Sequence, residues 1–199
     1  MHDTFKLARA KGMATLYHSN GFINPGPLQE LCKYLTAANI DLKAFDQDTY
    51  ARLSQGMLAP VLETLKALKA QSVWTEITHL LVPGWNDQPD RIKELCDWIA
   101  ANLGPDVPLH FSRFFPTYKL AELAPTPLET LRTARTIALN TGLHFVYLGN
   151  IPGEEGSDTA CPGCHKTVIA REGNEVTANH VNNGKCKFCG QNISGVWKI

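Results

Sequence analysis

The 199-residue sequence has no apolar run approaching the roughly 18–20 residues that would span a bilayer. Its opening, Met1-His2-Asp3-Thr4-Phe5-Lys6, lacks the charged-then-apolar order of a secretory signal. Neither sign of charge is in excess, with 19 Lys+Arg facing 19 Asp+Glu. That balance argues against a chain that grips nucleic acid or anionic membrane by its global field, which requires a basic surplus. Internal repeats and low-complexity tracts are absent, and so is the Gly-rich cradle that an intact phosphate-handling barrel enzyme needs. These absences leave an ordinary soluble globular protein, with the cytoplasm as its expected compartment. The length allows one sizeable core and a small appendage, not a long multidomain machine.

Six cysteines are present, and four of them form the pattern Cys-x2-Cys-x21-Cys-x2-Cys at Cys161, Cys164, Cys186 and Cys189. In a reducing compartment such knuckles read as a metal site rather than as disulfides. Four thiolates at tetrahedral corners suit a closed structural Zn2+ site, and they also suit a rubredoxin-like iron or an iron–sulfur cluster. His165 adjoins a knuckle but is not needed as a ligand. Cys32 and Cys96 fall on apolar helix positions, where a free thiol packs as a small hydrophobe.

Up to about residue 155 the sequence alternates between helical and strand-like periods, which means β/α units and a parallel sheet. Helices are predicted over Thr4–Lys11, Pro27–Leu35, Pro60–Ala70, Pro89–Leu103 and Pro127–Thr141. Gly12, Gly104 and Gly142 close three of them, and Thr126-Pro127-Leu128-Glu129 has the spacing of a capping box. Strands are predicted over Met13–Tyr17, Asn39–Lys43, Val73–Val82, Leu109–Phe115 and His144–Leu148. Five strands are too few to close a barrel, so an open sheet and an arc of a barrel both fit. After the polar linker Glu154–Asp158 the helical period disappears. Residues 156–199 read as a small, slightly basic second module that needs a metal staple to fold.

Polar residues gather where the strands end, the edge on which both barrels and open α/β sheets build their sites. Asn39, Asp41 and Lys43 share one strand face while Ile40 and Leu42 share the other. A carboxylate and an ammonium aimed inward suit a polar ligand, and a mutually neutralising ion pair is the bland alternative. Asn20 lies in the turn after the first strand, and Trp85 in the turn after the third is placed to stack on a flat ligand. In the fourth strand His110 and Ser112 share a face and Arg113 takes the other, so one parity alone can line a site unless the strand bulges. His18, His79 and His144 have no partner pattern and read as structural.

Five strings occur in order: Ser19-Asn20-Gly21-Phe22, Asn39-Ile40-Asp41-Leu42-Lys43-Ala44-Phe45, Val82-Pro83-Gly84-Trp85-Asn86-Asp87, His110-Phe111-Ser112-Arg113-Phe114 and Tyr147-Leu148-Gly149-Asn150-Ile151-Pro152-Gly153. Together with the C-terminal cysteine pairs and Gly195-Val196-Trp197, they resemble the radical SAM enzymes of the AmmeMemoRadiSam type. These are relatives of the pyruvate formate-lyase activating enzymes. The resemblance implies an α/β fold, a partial β/α barrel holding a [4Fe–4S] cluster and S-adenosylmethionine (SAM), whose reductive cleavage gives a deoxyadenosyl radical. It implies that Asp41 and Lys43 meet the SAM ribose and carboxylate, and that Asn20, Trp85, His110 and Arg113 complete the wall.

The sequence departs from that family in lacking the Cys-x3-Cys-x2-Cys cluster loop. The resemblance therefore implies an N-terminally truncated barrel over residues 1–155, with a zinc-ribbon-like module over 156–199, inactive alone. An N-terminal radical SAM half, or Memo-like and AMMECR-type proteins, are the partners it suggests. The competing reading is a non-catalytic α/β scaffold whose four-cysteine ribbon binds a protein or nucleic acid.

Overall fold

A computed structural model of the chain describes residues 1–151, 156–173 and 175–197. The expected linker residues Glu154 and Glu155, and Pro152 and Gly153 of the last string, lie outside the described residues. Helix α1 (His2–Ala10) leads into β1 (Leu16–Ser19), α2 (Pro25–Cys32), β2 (Ala37–Asp41), α3 (Gln47–Ser54), α4 (Leu58–Ala70), β3 (Trp74–Leu81), α5 (Pro89–Asn102), β4 (Leu109–Arg113), α6 (Leu128–Asn140) and β5 (Val146–Gly149). A 3-10 turn, Tyr118–Leu120, lies between β4 and α6. The five strands form one parallel sheet in sequence order, β1-β2-β3-β4-β5. This is the mixed α/β architecture the alternating periods predict. No described helix is long and apolar enough to cross a membrane.

One sheet face is covered by helices. Ile40 of β2 and Leu42 just after it, Ile77 and Leu81 of β3, and Leu109 and Phe111 of β4 are fully buried there with Leu65, Leu68, Leu95, Ile99 and Leu131. Cys32 and Cys96 lie in the same core. An all-parallel sheet normally has both faces covered and reads as continuous apolar runs. Here β3 alternates strictly between half-exposed and buried positions along WTEITHLL, so its second face is open and polar.

Gly12, Gly104 and Gly142 all take positive φ just past helix ends, as their positions predict. Two local expectations are corrected. Thr126 does not cap α6. Its buried hydroxyl donates to the Leu81 carbonyl at 2.6 Å and accepts from the Phe114 N–H at 2.9 Å, so tertiary contacts claim the group that a capping box would use. Helix α3 has no counterpart among the predicted helices, although Asp46 caps it by accepting the Thr49 N–H at 2.8 Å.

The C-terminal residues form β6 (Thr159–Ala160), β7 (Thr167–Glu172) and β8 (Glu175–Asn179) in one antiparallel sheet, and β9 (Val181–Asn182) with β10 (Lys185–Cys186) in another. Cys161, Val168, Cys186 and Ile193 form a small buried cluster around Phe145, which precedes β5.

Candidate functional site

Parallel register aligns His18 with Asn39, Asp41 with Thr78, and Thr78 with His110. His18, Asn39, Asp41, Lys43, Glu76, Thr78, His110, Ser112 and Tyr147 therefore belong to the open inner face. They are linked rather than scattered. Thr78 Oγ1 donates to Asn39 Oδ1 at 2.9 Å. Asp41 accepts from Lys43 Nζ at 2.9 Å and meets His18 Nε2 at 3.3 Å. Glu76 meets His110 Nε2 at 2.7 Å and accepts from Trp74 Nε1 at 3.0 Å.

A cleft of about 580 Å³ opens over the C-terminal ends of β1 to β4. Asn20 and Lys43 supply polar lining, while Phe22, Leu53, Leu80, Val82, Phe114 and Leu120 supply apolar walls. Its size lies within the range of sites for cofactor-sized ligands. Two sequence features build the mouth. Gly21 has φ +72°, and a Cβ there would lie 2.8 Å from Ile40 Cγ2, so only glycine lets the turn after β1 lie against β2 and place Asn20 at the rim. Asn20 Oδ1 in turn accepts the Phe22 N–H at 3.0 Å.

Buried Asn86 ties the turn after β3 to β2. Its Nδ2 donates to the Lys43 and Leu80 carbonyls, both at 2.8 Å, and its Oδ1 accepts the Val82 N–H at 2.7 Å. The backbone of Lys43 is thereby fixed while its side chain remains one-third exposed. Lys43 therefore reaches the cleft with Asp41 as its partner, and a ligand carboxylate there would share or compete for its ammonium. Burial, with the Asp41 carboxylate adding to it, pushes the Tyr50 phenol up, so the cleft keeps a neutral hydroxyl there.

The remaining candidates are placed differently. Trp85 is not among the cleft-lining residues, and the Arg52 guanidinium of α3 lies 4.4 Å from its ring centroid. Arg113 is on the opposite parity from His110, and its Nε donates to the Thr126 carbonyl at 2.9 Å while the guanidinium stacks on Phe115. The structure thus brings Asn20 and Lys43 together in the cleft lining, holds Asp41 beside it through its pair with Lys43, sets His110 lower on the same face outside the lining, and turns Trp85 and Arg113 to other neighbours. His18, expected to be structural with no partner, instead meets Asp41 on this face, and Glu76 is an addition that the sequence analysis does not single out. Alternation from Leu16 through His18 to Asn20, and from Trp74 through Glu76 to Thr78, is the signal that finds them.

The four-cysteine site is tighter. All four sulfurs lie within 4.8 Å of one another, with Cys161–Cys189 at 3.6 Å and Cys164–Cys186 at 3.8 Å. Thiolates about 2.3 Å from one ion at tetrahedral corners are about 3.8 Å apart, so this set fits a single metal ion. The Phe188 N–H donates to Cys186 Sγ at 3.4 Å. His165 is exposed beside the knuckle and is not in the ligand set. The two other cysteines offer no cluster site, since Cys32 and Cys96 are buried among helix residues and burial pushes the Cys96 thiol up to about 12. The residues present therefore do not fit the three ligands of a SAM-binding cluster.

No family model matches the chain. Over 195 residues it is 42% identical to an uncharacterized protein of Methanocaldococcus jannaschii, covering 97% of this chain and 58% of that protein. Over 97 residues it is 27% identical to the pyruvate formate-lyase 1-activating enzyme of Escherichia coli, covering 48% of this chain and 39% of the enzyme. The chain thus spans less than two thirds of either relative's length. Among solved structures, a domain of the pyruvate-formate lyase-activating enzyme of Bacteroides vulgatus superposes with TM-score 0.65 at 16% identity, over 75% of this chain and 89% of that one. A radical SAM methyltransferase of Sphaerobacter thermophilus gives 0.58 at 13% identity, over 69% and 41%. The fold is of the radical SAM type. Streptococcus suis SuiB, in a structure bound to S-adenosylmethionine, also shares it, with TM-score 0.60 at 12% identity over 75% of this chain and 36% of that one.

Proposed function

We propose that this chain forms the SAM-binding face of a radical SAM enzyme of the activating-enzyme kind. The five ordered strings support the AmmeMemoRadiSam type within that kind. The observation that carries the reading is the Asp41–Lys43 pair on the inner face of β2, with Lys43 lining an apolar-walled cleft at the strand ends. Lys43 is placed to meet the methionine carboxylate, and Asp41 to accept a ribose hydroxyl. Asn20 offers the rim an amide, while Leu80, Val82 and Phe114 exclude water from the adenosyl group.

Bound SAM supplies alkyl-radical chemistry in enzymes of this fold when a cluster reduces it. These 199 residues hold no Cys-x3-Cys-x2-Cys set for such a cluster, and on this reading the chain alone binds SAM without cleaving it. We assign the four-cysteine site to Zn2+, because a closed set of four thiolates leaves no open coordination position for catalysis.

Isothermal titration of SAM into the full chain tests the reading. Asp41→Asn and Lys43→Gln are each expected to weaken binding about tenfold, the effect of losing one charge-assisted hydrogen bond. Binding that neither substitution alters would place the SAM site elsewhere.

A further inference from the structure

The four-cysteine region is not a free appendage, because its core includes a residue of the barrel. Phe145 is 3% exposed, and with Cys161, Val168, Cys186 and Ile193 it forms the buried cluster beside the knuckles. Two residues on, Tyr147 belongs to the inner face of β5 and packs against the same cluster. Its hydroxyl lies 2.9 Å from Thr159 Oγ1 on β6, and Thr159 is itself buried.

From Thr159 the contacts run both ways. Arg171 of β7 donates through Nη1 to Thr159 Oγ1 at 3.0 Å and to the Ser157 carbonyl at 2.6 Å, and its guanidinium lies 5.7 Å from the Tyr147 ring centroid. On the barrel side, the Tyr147 ring stacks on His110 at 5.0 Å with 25° between the planes. His110 is bonded to Glu76, and Glu76 to Trp74. An unbroken line of contacts therefore joins β6, the strand that leads into Cys161, to the middle of the sheet. The edge of β5 is covered from the same side, where the Leu148 N–H donates to the Gly156 carbonyl at 3.0 Å. A cavity of about 340 Å³ beside the junction, lined in part by Arg135, His144, Asp158 and Pro162, leaves the joint to these few residues.

We propose that metal occupancy at Cys161, Cys164, Cys186 and Cys189 sets the order of the barrel's inner face at β5 and His110, with Tyr147 as the positioning residue. A region of about forty residues buries too little apolar surface to hold its fold unaided, so the free energy of metal binding is its folding free energy. Without the ion, β6 and β7 lose their anchor, Thr159 and Arg171 leave Tyr147, and Phe145 loses the cover of the cysteine cluster. The ring that stacks on His110 is then free to turn. Strand β2 lies three places across the sheet from β5, meets the line only at its far end, where Ala37 and Asn39 pair with Trp74 and Glu76, and keeps its protection. The inference is independent of the SAM reading, because it concerns the opposite end of the face and needs no ligand.

Hydrogen exchange and the imidazole carbon–proton NMR signal of His110 test it, measured on the full chain loaded with one equivalent of Zn2+ and again after excess chelator. The expected result is exchange on the order of tenfold faster or more at Val146–Gly149, a shifted His110 signal, and no change at Ala37–Asp41, all reversed by Zn2+. Tyr147→Phe keeps the stack but removes the hydroxyl bond to Thr159. In this variant the His110 shift on chelation should shrink, while the β7 amides still lose protection. An unchanged β5 and His110 would overturn the proposal. Equal loss of protection in β2 and β5 would overturn it too, since the coupling would then be global unfolding.

Discussion

The two parts of this molecule solve the same problem by different means. In the β/α part, apolar side chains from five strands meet α2, α4, α5 and α6, and burial at about 25 cal/mol per Å² offsets the entropy of ordering the chain. The C-terminal part has no comparable core, since two of its five buried cluster residues are cysteines and a third, Phe145, is borrowed. The first is held by area, and the second is built to be held by coordination, with four sulfurs within 4.8 Å of one another. The difference also separates their chemistry: the part with a large core can leave one sheet face open and polar for a ligand, while the small part commits its reactive groups to staying folded.

Each half of that comparison can be broken separately. The largest effect is expected from Cys161→Ser, which removes one of four thiolates from a site whose metal affinity is worth about 10 kcal/mol. Far-ultraviolet circular dichroism should retain the helical signal while zinc content falls below stoichiometry. Loss of the helices as well would mean that the two parts are one cooperative unit. Phe111→Ala is the converse change. Phe111 is fully buried between sheet and helices, and truncation should cost about 3–5 kcal/mol in urea unfolding of the helical signal, with zinc still bound.

One pH effect belongs to the core of the β/α part. His79 is buried and bonded to the Leu42 carbonyl at 2.6 Å, and burial brings its pKa down to about 4 from 6.5. Between those values the unfolded chain binds the proton and the folded chain does not. Stability from this residue is complete above about pH 6.5 and is lost as the pH falls towards 4, by up to about 3 kcal/mol. His79→Gln should flatten the slope of urea midpoint against pH in that window. The smallest effect is expected from Asn86→Ala, which leaves the Lys43 and Leu80 carbonyls and the Val82 N–H unpaired. It should cost about 2 kcal/mol in thermal melts and loosen the cleft mouth without touching zinc content.

The same division decides what the sequence makes legible. Periods of 3.6 and 2 reveal five strands and five of the six α-helices, because in α2, α4, α5 and α6 the packed face leaves its mark on the sequence, while α1 shows its period without a buried residue. The cysteine spacing reveals the metal site outright, since no other arrangement brings four thiolates together at that interval. Asp41 and Lys43 are legible from strand parity. Helix α3 is missed because its apolar residues, Tyr50 and Leu53, make too short a pattern, although Asp46 at its cap is a usable signal. Thr126 misleads, as a sequence cannot tell a hydroxyl that caps its own helix from one bonded across 45 residues to Leu81. His18 and Glu76 escape because their partners, Asp41 and His110, are set by strand register, which only the assembled sheet defines.

The most direct test of the account is an amide NMR titration of the zinc-loaded chain with SAM. The account predicts shifts at Asn20, Phe22, Lys43, Tyr50, Leu80, Val82 and Phe114, with the signals of residues 159–197 unmoved. Shifts confined to the four-cysteine region, or none at saturating SAM, would contradict it.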